Sequence, residues 1–317
     1  MNIDRRRFMK LSGSALAAAA PLLAPAALAD KGIPRLRITE PFGNPSIIWK
    51  MVTTLKPGLQ ARLNCGVETQ TITGDEGLAA LKAMLAAPSS EVCLFGGNIM
   101  VTQYIGATAG FDTPIETLTP IAKLSNGFSV AVFAKRGGRF ESWADVVKAS
   151  KEKPVALRTP QRNTASSIAW LMIERWAPLP FDARKELPFL EIIPEIVDGR
   201  IDIGIMPTAL VARQPDLLSC LVTFGAGRSA VFPNTPTFAE ITGNRKLSFT
   251  KSVGILGAPG LAADTAATLT DAFIAAAKDP DIMDNADLTD FPLVVNDADI
   301  LRQTMERNRG VLKRLLG

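Results

Sequence analysis

From Leu36 to Gly97 short apolar runs alternate with amphipathic ones in a fixed order, and that order constrains the fold more than any other feature of the chain. Leu36-Arg37-Ile38-Thr39 reads as a strand running into the loop 40–46 (EPFGNPS), and helical spacing of apolar residues predicts a helix from about Ile47 to Leu59. Leu63 to Thr73 alternates as a second strand. Gly74-Asp75-Glu76-Gly77 then opens a helix through Ala87, and Val92 to Phe95 forms a third strand that ends at Gly96-Gly97. Strand, helix, strand, helix, strand is the grammar of a parallel sheet covered by helices.

The same grammar returns later. A polar stretch from Pro114 to Pro120 leads into Ile121–Leu124, and Phe128 to Ala134 is a strong strand followed by a short helix from Trp143 to Ser150. Val155-Ala156-Leu157 is a strand, and a helix opens after it near Asn163 or Thr164, with Ile168, Leu171, Met172 and Trp176 on one face. Leu190 to Val197 reads equally as strand or helix. Ile201 to Met206 is a buried strand, with Pro207-Thr208 and a short helix behind it. Leu221 to Phe224 is a strand expected to return to the first lobe, and a proline-rich crossing covers Phe232 to Pro236. Ser252 to Leu256 is a strand, and amphipathic helices cover about Asp264 to Lys278 and Asp297 to Leu316. The expected architecture is α/β: two lobes, each a mostly parallel sheet flanked by helices. Lobe I takes 30–122 plus 225–317, and lobe II, 123–224, is inserted into it.

Composition removes several functions. The chain has 317 residues and no histidine, so Ser-His-Asp and Cys-His catalysis, histidine metal sites and the usual neutral-pH general base are all excluded. Cys65, Cys93 and Cys220 match no zinc spacing; buried thiols or one disulfide, Cys65–Cys93, are both open. The formal charge of +4 arises at the N-terminus, since residues beyond 29 carry 31 basic against 30 acidic side chains. A near-neutral chain has no electrostatic footprint for nucleic acid. Asp4-Arg5-Arg6-Arg7-Phe8-Met9-Lys10 resembles the twin-arginine export motif. An alanine-rich apolar segment follows, and Ala27-Leu28-Ala29 forms an A-x-A cleavage site. Residues 1–29 therefore read as a signal peptide cleaved after Ala29. The alternative is a membrane anchor, but the repeated alanines and the prolines at 21 and 25 make a weak span. The expected location is the periplasm.

Three motifs suggest other chemistry and fail on context. Gly225-Ala226-Gly227-Arg228-Ser229-Ala230 matches G-x-G-x-x-A, but Phe232-Pro233-Asn234-Thr235-Pro236 blocks the helix a pyrophosphate site requires. Ser150-Lys151-Glu152-Lys153 matches S-x-x-K without its partner motifs. The Asp-rich stretch from Asp279 to Asp299 lacks calcium-loop spacing and reads as solvated surface or caps. The segment from Pro154 to Trp176 holds more: a helix N-terminus offers unpaired N–H groups and partial positive charge to an anion, with hydroxyls and Arg158 and Arg162 beside it. Read alone, it is an ordinary capped helix after a strand.

Arg228 followed by Pro233-Asn234-Thr235-Pro236-Thr237-Phe238-Ala239-Glu240 resembles the "R…PdvPT-x-aE" signature of the Bug family, the solute receptors of tripartite tricarboxylate transporters. Pro41-Phe42, Gly74 and Gly77, Leu118-Thr119-Pro120-Ile121-Ala122, Asn163 with Ser166 and Ser167, Gly199-Arg200-Ile201-Asp202 and Ala258-Pro259-Gly260 extend the resemblance in order along the chain. It implies a two-lobed Venus-flytrap protein of the periplasmic-binding, type II-like kind. Such a protein would hold a small carboxylate in the interlobe cleft for a membrane permease, without catalytic residues, metal or cofactor, and as a monomer. The cleft residues it implies are Phe42, Gly43, Asn44 and Ser46 in the first loop and Gly97 after the third strand. In lobe II it implies Asn163, Thr164, Ser166 and Ser167 at the helix start, with Pro207 and Thr208 at a strand end.

Departures from the family pattern mark a rebuilt pocket. Pro45-Ser46 stand where a Gly-Gly pair is usual, which reduces backbone approach to a ligand. Arg162, Thr164, Ala165 and Ile168 replace Gly, Gly, Thr and His. From these departures, Arg158 or Arg162 is expected to pair with a ligand carboxylate, unless both point to solvent. An exported enzyme and a ligand-sensing adaptor are the alternative functions on the same scaffold. Phe42 and Trp170 are the candidates for stacking.

Overall fold

In the computed structural model the described residues are 35–317, except 45, 75–76, 89–90, 109–112, 126–128, 161, 188, 213–215, 230, 250–251, 285–292 and the side chains of 189–190. The signal segment 1–29 and its cleavage site lie outside them, as does part of the Asp-rich stretch. The chain begins with β1 (Arg35–Glu40), α1 (Ile47–Leu63), β2 (Gly66–Thr71), α2 (Leu78–Leu85), β3 (Val92–Asn98), α3 (Ile99–Thr108) and β4 (Thr119–Lys123). It continues with β5 (Val130–Lys135), α4 (Trp143–Ser150), β6 (Val155–Arg158), α5 (Ala165–Trp176), β7 (Phe181–Arg184), α6 (Phe189–Val197), β8 (Ile203–Pro207), α7 (Thr208–Ala212) and β9 (Leu218–Thr223). It closes with α8 (Phe238–Thr242), β10 (Val253–Gly257), α9 (Ala263–Ala276), α10 (Pro280–Asp284) and α11 (Ala298–Leu316).

These strands form two five-stranded sheets, β2-β1-β3-β10-β4 and β7-β6-β8-β5-β9. In the first, β2, β1, β3 and β4 run one way and β10 runs against both its neighbours. In the second, β5 is the antiparallel strand between β8 and β9. Each sheet is thus mixed, with four strands parallel in direction and one reversed. β3 is buried at every position, as a central strand covered on both faces must be.

Three local expectations change. Leu190 to Val197, open between strand and helix, lies in helix α6, which carries Pro194 inside it. Leu221 to Thr223, expected to return to the first lobe, pairs with β5 in the second sheet. The chain goes back only after Phe224, whose ring stacks on Phe238 with centroids 4.9 Å apart, while the Phe249 amide donates to the Phe224 carbonyl. The helix α3 and the strand β7 had no counterpart in the sequence reading. All three cysteines are free thiols.

Packing follows the layers. One core lies between the first sheet and α1 and α9, with Met51, Leu55, Leu59, Leu269 and Phe273 buried there. A second joins the β5–β8 face to α6 through Phe133, Ile192 and Ile196. The third runs across both lobes, from Phe95, Ile99 and Met305 on one side to Val132, Ile168 and Ile203 on the other.

Candidate functional site

Three helices open onto one space between the lobes, and each has a side-chain cap at its start. Ser46 precedes α1, and its hydroxyl accepts from the Trp49 amide at 3.1 Å. Asn98 precedes α3, and its side-chain oxygen accepts from Val101 at 3.4 Å. Thr164 caps α5 in a reciprocal box: its hydroxyl accepts from the Ser167 amide (3.1 Å) and its own amide donates to the Ser167 hydroxyl (3.0 Å). Asn163, at φ 57°, turns the chain into that helix in the left-handed region that asparagine tolerates better than most residues.

The space is a cavity of about 340 Å³. Lobe I lines it with Pro41, Phe42, Ser46, Ile47, Ile48, Phe95, Asn98, Val101 and Thr102, and lobe II with Asn163, Thr164, Ala165, Ser166 and Pro207. Most of these groups are apolar, and none is charged. Electropositive character therefore comes from helix ends: the first N–H groups of a helix have no intrahelical acceptor and carry its partial positive charge. At α5 that edge includes the Ala165 and Ser166 amides.

Ser166 is the most telling side chain. It is fully buried, it lines the cavity, and its hydroxyl has no hydrogen-bond partner. A buried hydroxyl without a partner costs about 1–3 kcal/mol, and Ser166 carries that cost at a helix start on the cavity wall.

Glu40 shapes the opposite wall. It is fully buried at the end of β1, and its carboxylate accepts from the amides of Phe42 (3.0 Å) and Gly43 (2.9 and 3.0 Å) and from the Thr71 hydroxyl. Gly43 reaches this position at φ +65°, and Phe42, beside it, stays 46% exposed at the mouth of the cavity.

Of the residues expected from sequence, Phe42, Ser46, Asn163, Thr164, Ser166 and Pro207 meet at the cavity. The others lie elsewhere. Gly43 and Asn44 are in the first loop outside the lining, Asn44 exposed. Gly97 sits behind Phe95: a Cβ there would stand 2.3 Å from the Phe95 ring, so its role is to leave that ring room. The Ser167 hydroxyl donates to the Thr164 carbonyl at 2.8 Å and belongs to the cap. Thr208 is buried, its hydroxyl donating to the Ser129 carbonyl at 3.0 Å.

Arg158 is held by Glu195, with bonds of 2.6 and 3.0 Å. That hydrogen bond holds the Glu195 carboxyl below its ordinary value and raises the arginine. Arg162 is exposed, with its backbone amide on Glu186 at 3.3 Å. Neither arginine lines the cavity. Trp170 packs edge-on against Phe181, with centroids 5.1 Å apart, and is also outside the lining.

Sequence reasoning missed Asn98, Val101 and Thr102, because α3 was not foreseen, and it read Phe95 as a strand residue without assigning it to the site. The signal was present: an asparagine directly ahead of the apolar run Ile99-Met100-Val101.

Among the described residues no group of three or more Cys, Asp or Glu side chains is placed to hold a metal. No helix there is long and apolar enough to cross a membrane. Burial pushes the Cys220 thiol up to about 12, which keeps it protonated at neutral pH.

Two mixed sheets flanked by helices, with a cavity between them walled by helix starts from both, define the two-lobed periplasmic-binding-protein fold. Solved structures share it. A TctC solute-binding protein from Polaromonas, without ligand, aligns with TM-score 0.73 at 15% identity, over 89% of this chain and 98% of its own. MatC from Rhodopseudomonas palustris with bound malate aligns with TM-score 0.67 at 17% identity, over 89% and 99%. A second R. palustris protein, with adipate, aligns with TM-score 0.64 at 13% identity, over 89% and 96%. No protein-family model and no curated protein matches the chain.

Proposed function

We propose that this chain is a periplasmic solute receptor that closes over a small carboxylate and delivers it to the permease of a tripartite tricarboxylate-type transporter. One observation carries the reading: the start of α5, with Ser166 and its unpartnered hydroxyl, lines a cavity between two lobes. A carboxylate oxygen there would accept from that hydroxyl and from the first amides of α5, as anions do at helix N-termini. The malate and adipate bound by structures of the same fold support the ligand class.

We assign 30–122 with 225–317 to lobe I and 123–224 to lobe II, a division that the presence of two separate sheets supports. Closure is a hinge motion at the crossings near Leu124 and Phe224. Export follows the twin-arginine route with cleavage after Ala29, and the mature protein acts as a monomer. No charged or thiol side chain is among the residues that line the cavity.

The test is a thermal-shift screen of the mature protein against a carboxylate panel, followed by calorimetry and a check for ligand turnover. Saturation at one hundred times Kd would add about 2.7 kcal/mol of stability. A panel with no shift, or consumption of the ligand, would overturn the receptor reading.

A further inference from the structure

The loop between β1 and α1 already holds a carboxylate, and it is the chain's own. Glu40 takes up the Phe42 and Gly43 amides together with the Thr71 hydroxyl. Pro45, further along the same loop, has no N–H to offer. A ligand with a second carboxylate would need donors on this side of the cavity, and no cationic side chain lines it to replace those that Glu40 has occupied.

Several polar atoms on the lobe I wall are used within the chain. Ser46 accepts from Trp49 at 3.1 Å, and the Thr102 hydroxyl donates to the Asn98 carbonyl at 2.8 Å. The rest of that wall is largely aliphatic or aromatic, including Phe42, Phe95, Ile47, Ile48 and Val101. On the opposite wall the Ser166 hydroxyl is unpartnered at the start of α5. The cavity is therefore uneven: lobe II brings a helix start with an unpartnered hydroxyl, while lobe I brings a largely apolar wall without a cationic side chain and a buried carboxylate in the loop that carries Phe42.

We propose that the cavity selects ligands with a single carboxylate and an apolar body over dicarboxylates, and that Glu40 sets this preference. The inference rests on the carboxylate-receptor reading and narrows its ligand class. A second ligand carboxylate would lose its water on the lobe I side, gain no counter-ion and meet the charge of Glu40. An apolar tail in the same place replaces water with hydrocarbon contact against the two phenylalanines.

Calorimetry with matched pairs tests it: hexanoate against adipate, and benzoate against terephthalate, on the mature protein. The monocarboxylate of each pair is expected to bind roughly tenfold tighter or more, since like-charge juxtaposition is strongly unfavourable in a desolvated site. Equal or tighter binding of the dicarboxylates would overturn this inference and leave the receptor reading standing. Failure of all four, together with the wider panel, would overturn both. Glu40→Gln keeps an acceptor for the loop amides and removes the charge. It is expected to narrow the preference about tenfold, and an unchanged ratio in a folded variant would remove Glu40 from the explanation. The wild-type ratio decides the ligand class without any variant.

Discussion

Ser166 stands under opposite demands from stability and function, which makes it the cleanest residue to test. Its buried hydroxyl has no partner in the free protein, so Ser166→Ala is expected to leave the apo Tm unchanged or slightly raised. The same change removes a donor to the ligand carboxylate, a charge-assisted bond worth about 1.5–3 kcal/mol, so affinity should fall by at least about tenfold. Apo melting and a binding isotherm on one sample separate the two effects; equal affinity would dismiss the hydroxyl as a ligand contact.

Glu195 shows the opposite case, a charge used within the protein. Arg158 lowers its folded pKa below the ordinary 4.5, so its contribution is present above that value and is lost as pH falls through the lower folded one. Glu195→Gln should lower Tm at pH 7, and the gap to wild type should narrow as pH falls below 4.5 and close once it has passed the lower folded value. A gap independent of pH would refute the ion pair. Arg158 also shows why the site was only partly legible. In sequence it stands beside the anion-binding loop, but its partner is on α6, a segment whose periodicity fits strand or helix alike. Glu40 was harder still, because its role depends on Thr71, 31 residues away, and on Gly43 at positive φ.

At the scale of elements, legibility followed capping chemistry. The boxes at Ser142/Asp145 and Thr164/Ser167 are local, and helices α4 and α5 begin where those residues stand, whereas the box at Thr237/Glu240 starts α8, which the sequence reading did not foresee. By contrast α3 follows β3 without a break, so the sequence lacks the turn signal that separates other pairs. That join also gives Gly97 its meaning. Gly97→Ala would place a methyl 2.3 Å from the Phe95 ring. The ring lines the cavity, so a shift of the ring toward that space relieves the contact. Overpacking of this kind costs about 1–3 kcal/mol. The expected outcome is a modest loss in urea midpoint with a larger loss of affinity, since the displaced ring takes ligand volume. An unaltered affinity with the full stability loss would mean the ring moves elsewhere.

For the whole molecule, alternation of strands and helices was enough to read two α/β lobes, one inserted in the other. It could not give strand direction, and the reversed strands β5 and β10 emerged only with the sheets. Each crossing is tied to a strand of its own sheet: the Leu124 amide donates to the Val253 carbonyl at 2.8 Å, and the Phe224 amide donates to the Val130 carbonyl at 2.9 Å. The core that runs from Phe95 and Met305 to Ile168 and Ile203 ties the lobes together. A continuous core of this kind couples the unfolding of the two lobes. Calorimetry should therefore show one transition, and ligand should move the whole of it upward with a scattering profile that becomes more compact. Two resolved transitions, with ligand shifting only one, would show that the anion is held by a single lobe and that closure has no part in binding.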